Sequence, residues 1–181
     1  GITPQLWSID HPNLYTVRTS LLVAGRIVDE RITGCGFRTL RFDADQGFFL
    51  NDVHVKIKGT CIHQDHAGVG VAVPDALIDW RIRRLKELGC NAIRSAHNAP
   101  DVALLDACDR HGILIMDENR LFNVSPDYVD QLTWLIKRDR NRPCVFMWSV
   151  FNEEPMQATE AGNEMVRRMA AVVKDLDDSR L

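Results

Sequence analysis

The residue pattern is that of an α/β chain: four βα units forming the first half of a (β/α)8 TIM barrel, preceded by the last strands of an immunoglobulin-like β-sandwich. Three observations carry the assignment. Beyond residue 42, short apolar runs alternate with amphipathic helical patterns, the mark of repeated βα units. No glycine-rich phosphate fingerprint follows any of the runs, which separates them from a doubly wound nucleotide-binding sheet. Polar residues collect at all four strand ends, and in a barrel those ends converge on one face.

Residues 1–42 read as all-β. Apolar and polar residues alternate in Leu14-Tyr-Thr-Val-Arg-Thr, a turn follows at Ala24-Gly25-Arg26, and Ile27-Val28 and Phe37-Arg-Thr-Leu-Arg-Phe42 come next. About three short strands fit here, whereas an immunoglobulin-type sandwich needs about seven. Residues 1–42 are therefore expected to be the C-terminal part of such a domain, and residues 43–181 the N-terminal half of the barrel. At its entrance, Phe48-Phe-Leu50 and Val53-His-Val55 flank Asn51-Asp52, a pair that tolerates positive φ and suits a two-residue hairpin turn.

The first barrel strand lies within Lys56-Ile-Lys-Gly-Thr-Cys-Ile-His63. A helix is expected from Asp75, behind Pro74, to Gly89, with Leu77, Ile78, Ile82, Leu85 and Leu88 on its apolar face. Strand two is Asn91–His97. Helix two runs from Asp101 as cap to Gly112, with Leu104, Leu105 and Cys108 inward, and Ile113–Glu118 forms strand three. Helix three has Ser125 as cap and Pro126 first, with Val129, Leu132, Leu135 and Ile136 as its stripe. Val145-Phe-Met-Trp-Ser-Val-Phe151, between Pro143 and Pro155, reads as a strand buried on both faces. The last helix, about Thr159 to Leu176, carries Met165, Val166, Met169, Val172, Val173 and Leu176 on one side.

The 181 residues include 25 acidic and 22 basic side chains mixed along the chain, a formal net charge of −3, with no basic block to gather phosphates. Nucleic acid is not an expected partner. No apolar run has the length to span a bilayer, so a membrane is not expected either. The five cysteines are widely spaced without a Cys-x-x-Cys pair. Most of them read as small core residues, and the set as neither a disulfide framework, a zinc site nor a redox pair.

The four strand ends hold His63, Gln64, Asp65 and His66; then Arg94, His97 and Asn98; then Asp117 and Glu118; then Asn152 and Glu153. The plainer reading of any one group is capping, but four groups in register favour a shared site. Glu153, at the carboxyl end of a buried strand, is the leading catalytic candidate, although Glu153 and Glu154 also fit the start of a loop. A metal at His63-Gln-Asp-His66 is disfavoured, because His63 and Asp65 share a side of the strand end while His66 begins a loop. No cofactor is expected. Glycoside hydrolysis gives these groups a fuller role, with two carboxyl groups about 5 to 5.5 Å apart when configuration is retained. Asn152 then binds a sugar hydroxyl, His63, His97 and Asn98 bind others, Trp148 offers an apolar wall, and Arg94 keeps a neighbouring carboxylate ionised.

A colinear set of motifs makes this sharper. Leu6-Trp7 with Pro12 and Leu14-Tyr15 is followed by Gly36-Phe37-Arg38, Phe49-Leu50-Asn51, Lys58-Gly59, His63, Arg94-Ser-Ala-His97 and Asp109-Arg-His-Gly112. Met116-Asp-Glu118, Asn141-Arg-Pro143 and Trp148-Ser149 with Asn152-Glu153 complete it. Together they resemble glycoside hydrolase family 2, which includes β-galactosidases, β-glucuronidases and β-mannosidases. The resemblance implies a retaining exo-glycosidase with Glu153 as acid/base, Asn152 on the sugar and Arg94 beside the nucleophile. It also implies His63 and His97 in the sugar pocket and, through a loosely matched loop, Asp65.

Three departures accompany it. Phe122 and Val124 stand where magnesium-dependent members carry Glu and His, so magnesium is not implied. Phe151 replaces the small residue that generally precedes the Asn-Glu pair. The family's nucleophile belongs to the seventh barrel strand, beyond Leu181. The chain is thus expected to be a fragment of a retaining β-glycosidase of the β-galactosidase type, inactive alone. β-Glucuronidase or another family specificity is the alternative, and a non-catalytic carbohydrate-binding or assembly module is the competing class. Self-association through the exposed edges of the barrel strands is also expected.

Overall fold

The structure, a computed structural model, describes residues 3–181. Strands β1 (Tyr15–Val23) and β2 (Arg26–Cys35) form an antiparallel hairpin closed by Ala24 and Gly25, both at positive φ (48° and 77°). At nine and ten residues they are longer than expected. Val17, Leu21, Leu22, Val23, Ile27, Val28 and Ile32 are all exposed, so the hairpin presents an apolar ribbon to solvent.

The third strand starts later than expected: it is β3 (Leu40–Asp43), and it pairs with β4 (Gly47–Leu50), which pairs with β5 (Val53–His54). Residues 37–39 are held by other partners. The Phe37 carbonyl accepts from Trp7 N at 2.8 Å, Thr39 N donates to Asn51 Oδ1 at 2.9 Å, and the Arg38 guanidinium donates to the carbonyls of Pro143 (2.7 Å) and Val145 (2.5 Å). Asn51 and Asp52 adopt positive φ, as their hairpin turn requires.

Then come β6 (Gly59–Ile62), α1 (Asp75–Glu87), β7 (Ala92–Ser95), α2 (Val102–His111), β8 (Leu114–Glu118), α3 (Pro126–Asp139), β9 (Val145–Ser149) and α4 (Glu160–Leu176). The four strands make a parallel sheet in the order β6-β7-β8-β9, with α1, α2 and α3 each returning the chain to the next strand. The caps of α2 and α4 follow the sequence: Asp101 accepts from Ala103 N and Thr159 from Gly162 N. Ser125 does not cap α3 with its side chain; Asn123 Oδ1 accepts from Ser125 N at 2.8 Å instead. Leu88 leaves the stripe of α1, standing 80% exposed past the helix end. No helix among the described residues is long and apolar enough to cross a membrane.

The amino-terminal segment is bolted beneath this sheet. Trp7 is fully buried and its indole N–H donates to the Asp109 carbonyl at 2.9 Å. Gly112 ends α2 at φ +66°, and a Cβ there would stand 2.2 Å from the Ile9 carbonyl oxygen, so both conformation and space demand glycine. Asp109 is itself tied across to β9, accepting from Cys144 N (3.0 Å) and Arg142 Nη1 (3.1 Å). The Asp109-Arg-His-Gly112 and Asn141-Arg-Pro143 motifs are therefore scaffold.

Strand β9 stops at Ser149, and its pairing with β8 passes from Val145 to Met147, skipping Phe146. The skipped residue bulges toward the lower sheet, its ring 5.4 Å from Phe48 and 6.4 Å from Phe42. This bulge resets which face each later residue of β9 occupies. Met147 and Ser149 align with Met116 and Glu118, and Trp148 aligns with Asp117.

Asp117 is buried with neither carboxyl oxygen hydrogen-bonded. Burial, and then the charge of neighbouring Asp139, push its pKa well above the usual carboxylate range. Arg138 is engaged with Asp139 through Oδ1 (2.7 Å) and Oδ2 (2.5 Å), leaving Asp117 no cation of its own. A carboxyl group whose folded pKa exceeds its unfolded value favours folding least once it must ionise. Stability is therefore present below the unfolded value near pH 4 and lost as pH rises toward the folded value. Asp117→Asn is expected to remove this dependence: its stability relative to wild type, from urea midpoints, should rise steadily from pH 4 to pH 8. Parallel pH profiles for the two proteins would contradict it.

Candidate active site

The centre of the upper face is the carboxylate of Glu118, the last residue of β8, which is fully buried. Arg94 grips it with two bonds, Nε to Oε2 at 2.7 Å and Nη2 to Oε1 at 3.0 Å. His97 Nδ1 lies 2.9 Å from Oε1, and Ser149 Oγ donates to Oε2 at 2.7 Å. An ionised carboxylate has about four lone-pair sites, and here four donor groups occupy them. This contact raises the pKa of Arg94 further above its usual range. Arg94 Nη2 also donates to Asn152 Oδ1 at 2.6 Å, so the loop after β9 is fastened to β7. Arg94 Nη1 takes part in none of these bonds.

Above this network opens a cleft of about 500 Å³ lined by His63, Gln64, Asp65, Val71, Ala96, His97, Asn98, Arg120 and Asn152. Five of the sequence-predicted residues, His63, Asp65, His97, Asn98 and Asn152, thus line one space, with Arg94 bonded to Asn152. The His63 and His97 rings meet edge-on with centroids 5.4 Å apart, and the Ala96–His97 peptide is cis. Asn98 Nδ2 donates to Gln64 Oε1 at 2.5 Å, linking the loops after β6 and β7. Glu153 follows Asn152, is exposed, and has no hydrogen-bond or ion-pair partner among the described residues. Glu154 instead begins the turn into α4, its carbonyl accepting from Gln157 N.

Trp148 does not join them. It lies on the outer face of β9, only 7% exposed, with its indole N–H donating to Asp177 Oδ2 at 2.9 Å and the Arg180 guanidinium 5.6 Å from its ring. The bulge at Phe146 is the reason, since it sets the face on which residue 148 falls. His66 turns away as well, stacking on Trp80 of α1 at 6.5 Å, and no group of three metal-ligating side chains occurs among the described residues.

Several participants carried no assigned role in the sequence. Glu118 and Gln64 were visible only as strand-end polar residues, and Ser149 only as part of a motif. Arg81 of α1 pins the loop after β6 by donating to the carbonyls of Asp65 (3.0 Å) and His63 (3.2 Å). Arg120 is an exposed cation in the cleft with no carboxylate partner among the described residues.

The family model described as the TIM barrel domain of glycosyl hydrolases family 2 matches residues 43–125 and 122–181, and a second model of that family matches residues 2–38. The chain belongs to glycosyl hydrolase family 2. Among similar proteins, the β-galactosidase BoGH2A of Bacteroides ovatus is 42% identical over 87% of the chain and 20% of its own length. A β-glucuronidase of Bacteroides fragilis is 32% identical over 98% of the chain and 28% of its own. The crystal structure of a family 2 member from Bacteroides cellulosilyticus superposes with a TM-score of 0.91 at 40% identity, over 98% of the chain and 25% of that protein. The chain thus spans between a fifth and somewhat over a quarter of these relatives, and carries the first four βα units of the family 2 barrel.

The donor set does not fit the magnesium of the metal-dependent family 2 enzymes. In place of Glu and His stand Phe122 and Val124, and the Phe122 ring packs on Phe151 with centroids 4.5 Å apart. Two of the departures from the family pattern are therefore one apolar contact, which offers a hard cation no oxygen. Magnesium is expected to leave the thermal midpoint of the chain unchanged at millimolar concentration. A concentration-dependent rise would show a site that these residues do not supply.

Proposed function

We propose that the polypeptide carrying this chain is a retaining exo-β-glycosidase of the β-galactosidase type, with Glu153 as general acid/base. The observation that supports it is the contrast between two carboxylates at neighbouring strand ends. Glu118 has all its acceptor sites filled and no route to a substrate, whereas Glu153 is exposed, unpartnered and adjacent to the cleft residue Asn152. In this reading Glu153 gives its proton to the leaving glycosidic oxygen, then takes one from the water that attacks the glycosyl-enzyme. Asn152 orients the sugar, and Arg94 Nη1 faces a nucleophilic carboxylate from a later barrel strand. His63, His97, Asn98 and Asp65 bind hydroxyls from the remaining walls.

A second reading, a β-glucuronide as substrate, is favoured by Arg120, whose guanidinium matches a sugar carboxylate in geometry and charge. A panel of aryl β-galactosides and β-glucuronides decides between them. In the full polypeptide, Glu153→Gln is expected to lower kcat/KM by about 10²- to 10⁴-fold on a poor leaving group, and less on an activated aryl group that needs no proton. Equal losses on both would remove the acid role, and hydrolysis by the 181-residue chain alone would remove the need for a later nucleophile.

Self-association belongs to the same proposal. Strands β6 and β9 are the edges of the four-stranded sheet, and the β1–β2 hairpin adds the exposed apolar ribbon. Light scattering of the isolated chain is expected to give a mass above 20.6 kDa that falls on dilution. A concentration-independent monomer would contradict it.

A further inference from the structure

We infer that Glu118 is a positioning residue: it fixes the Nδ1–H tautomer of His97 and holds the Arg94 guanidinium that sets the flip of the Asn152 carboxamide, so that the cleft meets a sugar hydroxyl with an acceptor, His97 Nε2, beside a donor, Asn152 Nδ2. The hydrogen inventory forces the assignment. Arg94 Nη2 carries two hydrogens and has three neighbours: Glu118 Oε1 at 3.0 Å, Asn152 Oδ1 at 2.6 Å and His97 Nδ1 at 3.1 Å. The two oxygens take both hydrogens. No proton from Arg94 is left for Nδ1, which also lies 2.9 Å from the carboxylate oxygen.

A bare Nδ1 lone pair at that distance from an anionic oxygen is repulsive, so Nδ1 carries its own hydrogen and donates it to Glu118. In the neutral form of the ring the lone pair is then on the opposite nitrogen, Nε2, which has no partner among the described residues while His97 lines the cleft. The same reasoning fixes Asn152. Arginine only donates, so the amide oxygen faces Arg94 and the two amide hydrogens are left for the cleft. Glu118 sets the polarity of His97 directly, and Arg94, whose guanidinium Glu118 holds in place, sets that of Asn152.

The role in sugar binding rests on the proposed glycosidase function; the tautomer does not, and the experiment separates them. Nitrogen-15 spectra of the histidine side chains, recorded on the 181-residue chain at pH 8, read the His97 tautomer directly. His97→Gln identifies its signals. In wild type the Nδ1–H form is expected to exceed the Nε2–H form by about tenfold or more, and in Glu118→Gln the ratio is expected to fall to about one or below. A wild-type ring protonated on Nε2, as the other tautomer or as imidazolium, overturns the inference. So does a Glu118→Gln protein that keeps the wild-type ratio. Should that variant not fold, Glu118→Asp withdraws the carboxylate by one methylene and is read the same way, and the wild-type spectrum alone can still refute the assignment. If the full polypeptide hydrolyses no glycoside while the spectra behave as expected, the proposed function falls and the positioning role stands.

Discussion

The upper face of this half-barrel depends on one carboxylate in a place where a carboxylate should not be stable. Burying an ion costs several kcal/mol unless its partners replace water fully, and breaking such a pair by removing one partner typically costs about 3–5 kcal/mol. Glu118 meets the condition with donors from three segments: Arg94 from β7, His97 from the loop beyond it, and Ser149 from β9. The backbone N of Glu118 donates in turn to Ser95 Oγ at 3.0 Å. The neighbouring strands are thereby locked in register at their carboxyl ends, where the parallel hydrogen-bond ladder runs out. Position and charge are set by the same bonds, so the loop carrying Asn152 and Glu153 starts from a fixed point.

Carboxyl groups near one another here have different fates, which follow from what surrounds each. Asp117, facing outward, has no donor and is driven toward its neutral form. Glu118, facing inward one residue later, has four donors. Glu153, past the end of β9, has water. A general acid must give up and regain a proton during each cycle, which requires access and an unfilled acceptor site. Among these three, Glu153 alone has both.

The helices, the parallel strands and most of the cleft were legible in the sequence because each rests on local signals. Apolar stripes, Asp101 and Thr159 as caps, Gly112 as a left-handed stop, and polar residues at strand ends are all short-range features. What was not legible depends on register between distant segments. Trp148 was placed in the sugar site because an apolar run shows no alternation, and nothing in it marks Phe146 as a bulge that shifts the parity of later residues. The third strand begins only at Leu40 because Phe37–Thr39, extended by sequence pattern, find their partners in Trp7, Asn51 and Pro143, far away in sequence. Glu118 was visible as an acid, but its saturation requires three strands to be brought together.

The aromatic contact between Phe122 and Phe151 shows how two apparent anomalies reduce to one physical choice. Considered singly, a phenylalanine in place of a metal-ligating residue and another in place of a small residue each look disruptive. Packed at 4.5 Å they cover one another, and a small side chain at 151 would leave the Phe122 ring open on that side. Asn119 reinforces the contact by donating to the carbonyls of Leu121 (2.7 Å) and Val150 (3.2 Å), joining the same two loops. A shared cation joins loops by drawing charged oxygens together; an aromatic pair joins them by excluding water, with an amide satisfying the backbone that the packing leaves exposed. The loops after β8 and β9 are thus held together by groups that are neutral at any pH, and the electrostatics of the cleft are left to Arg94, Arg120, the histidines and the carboxylates.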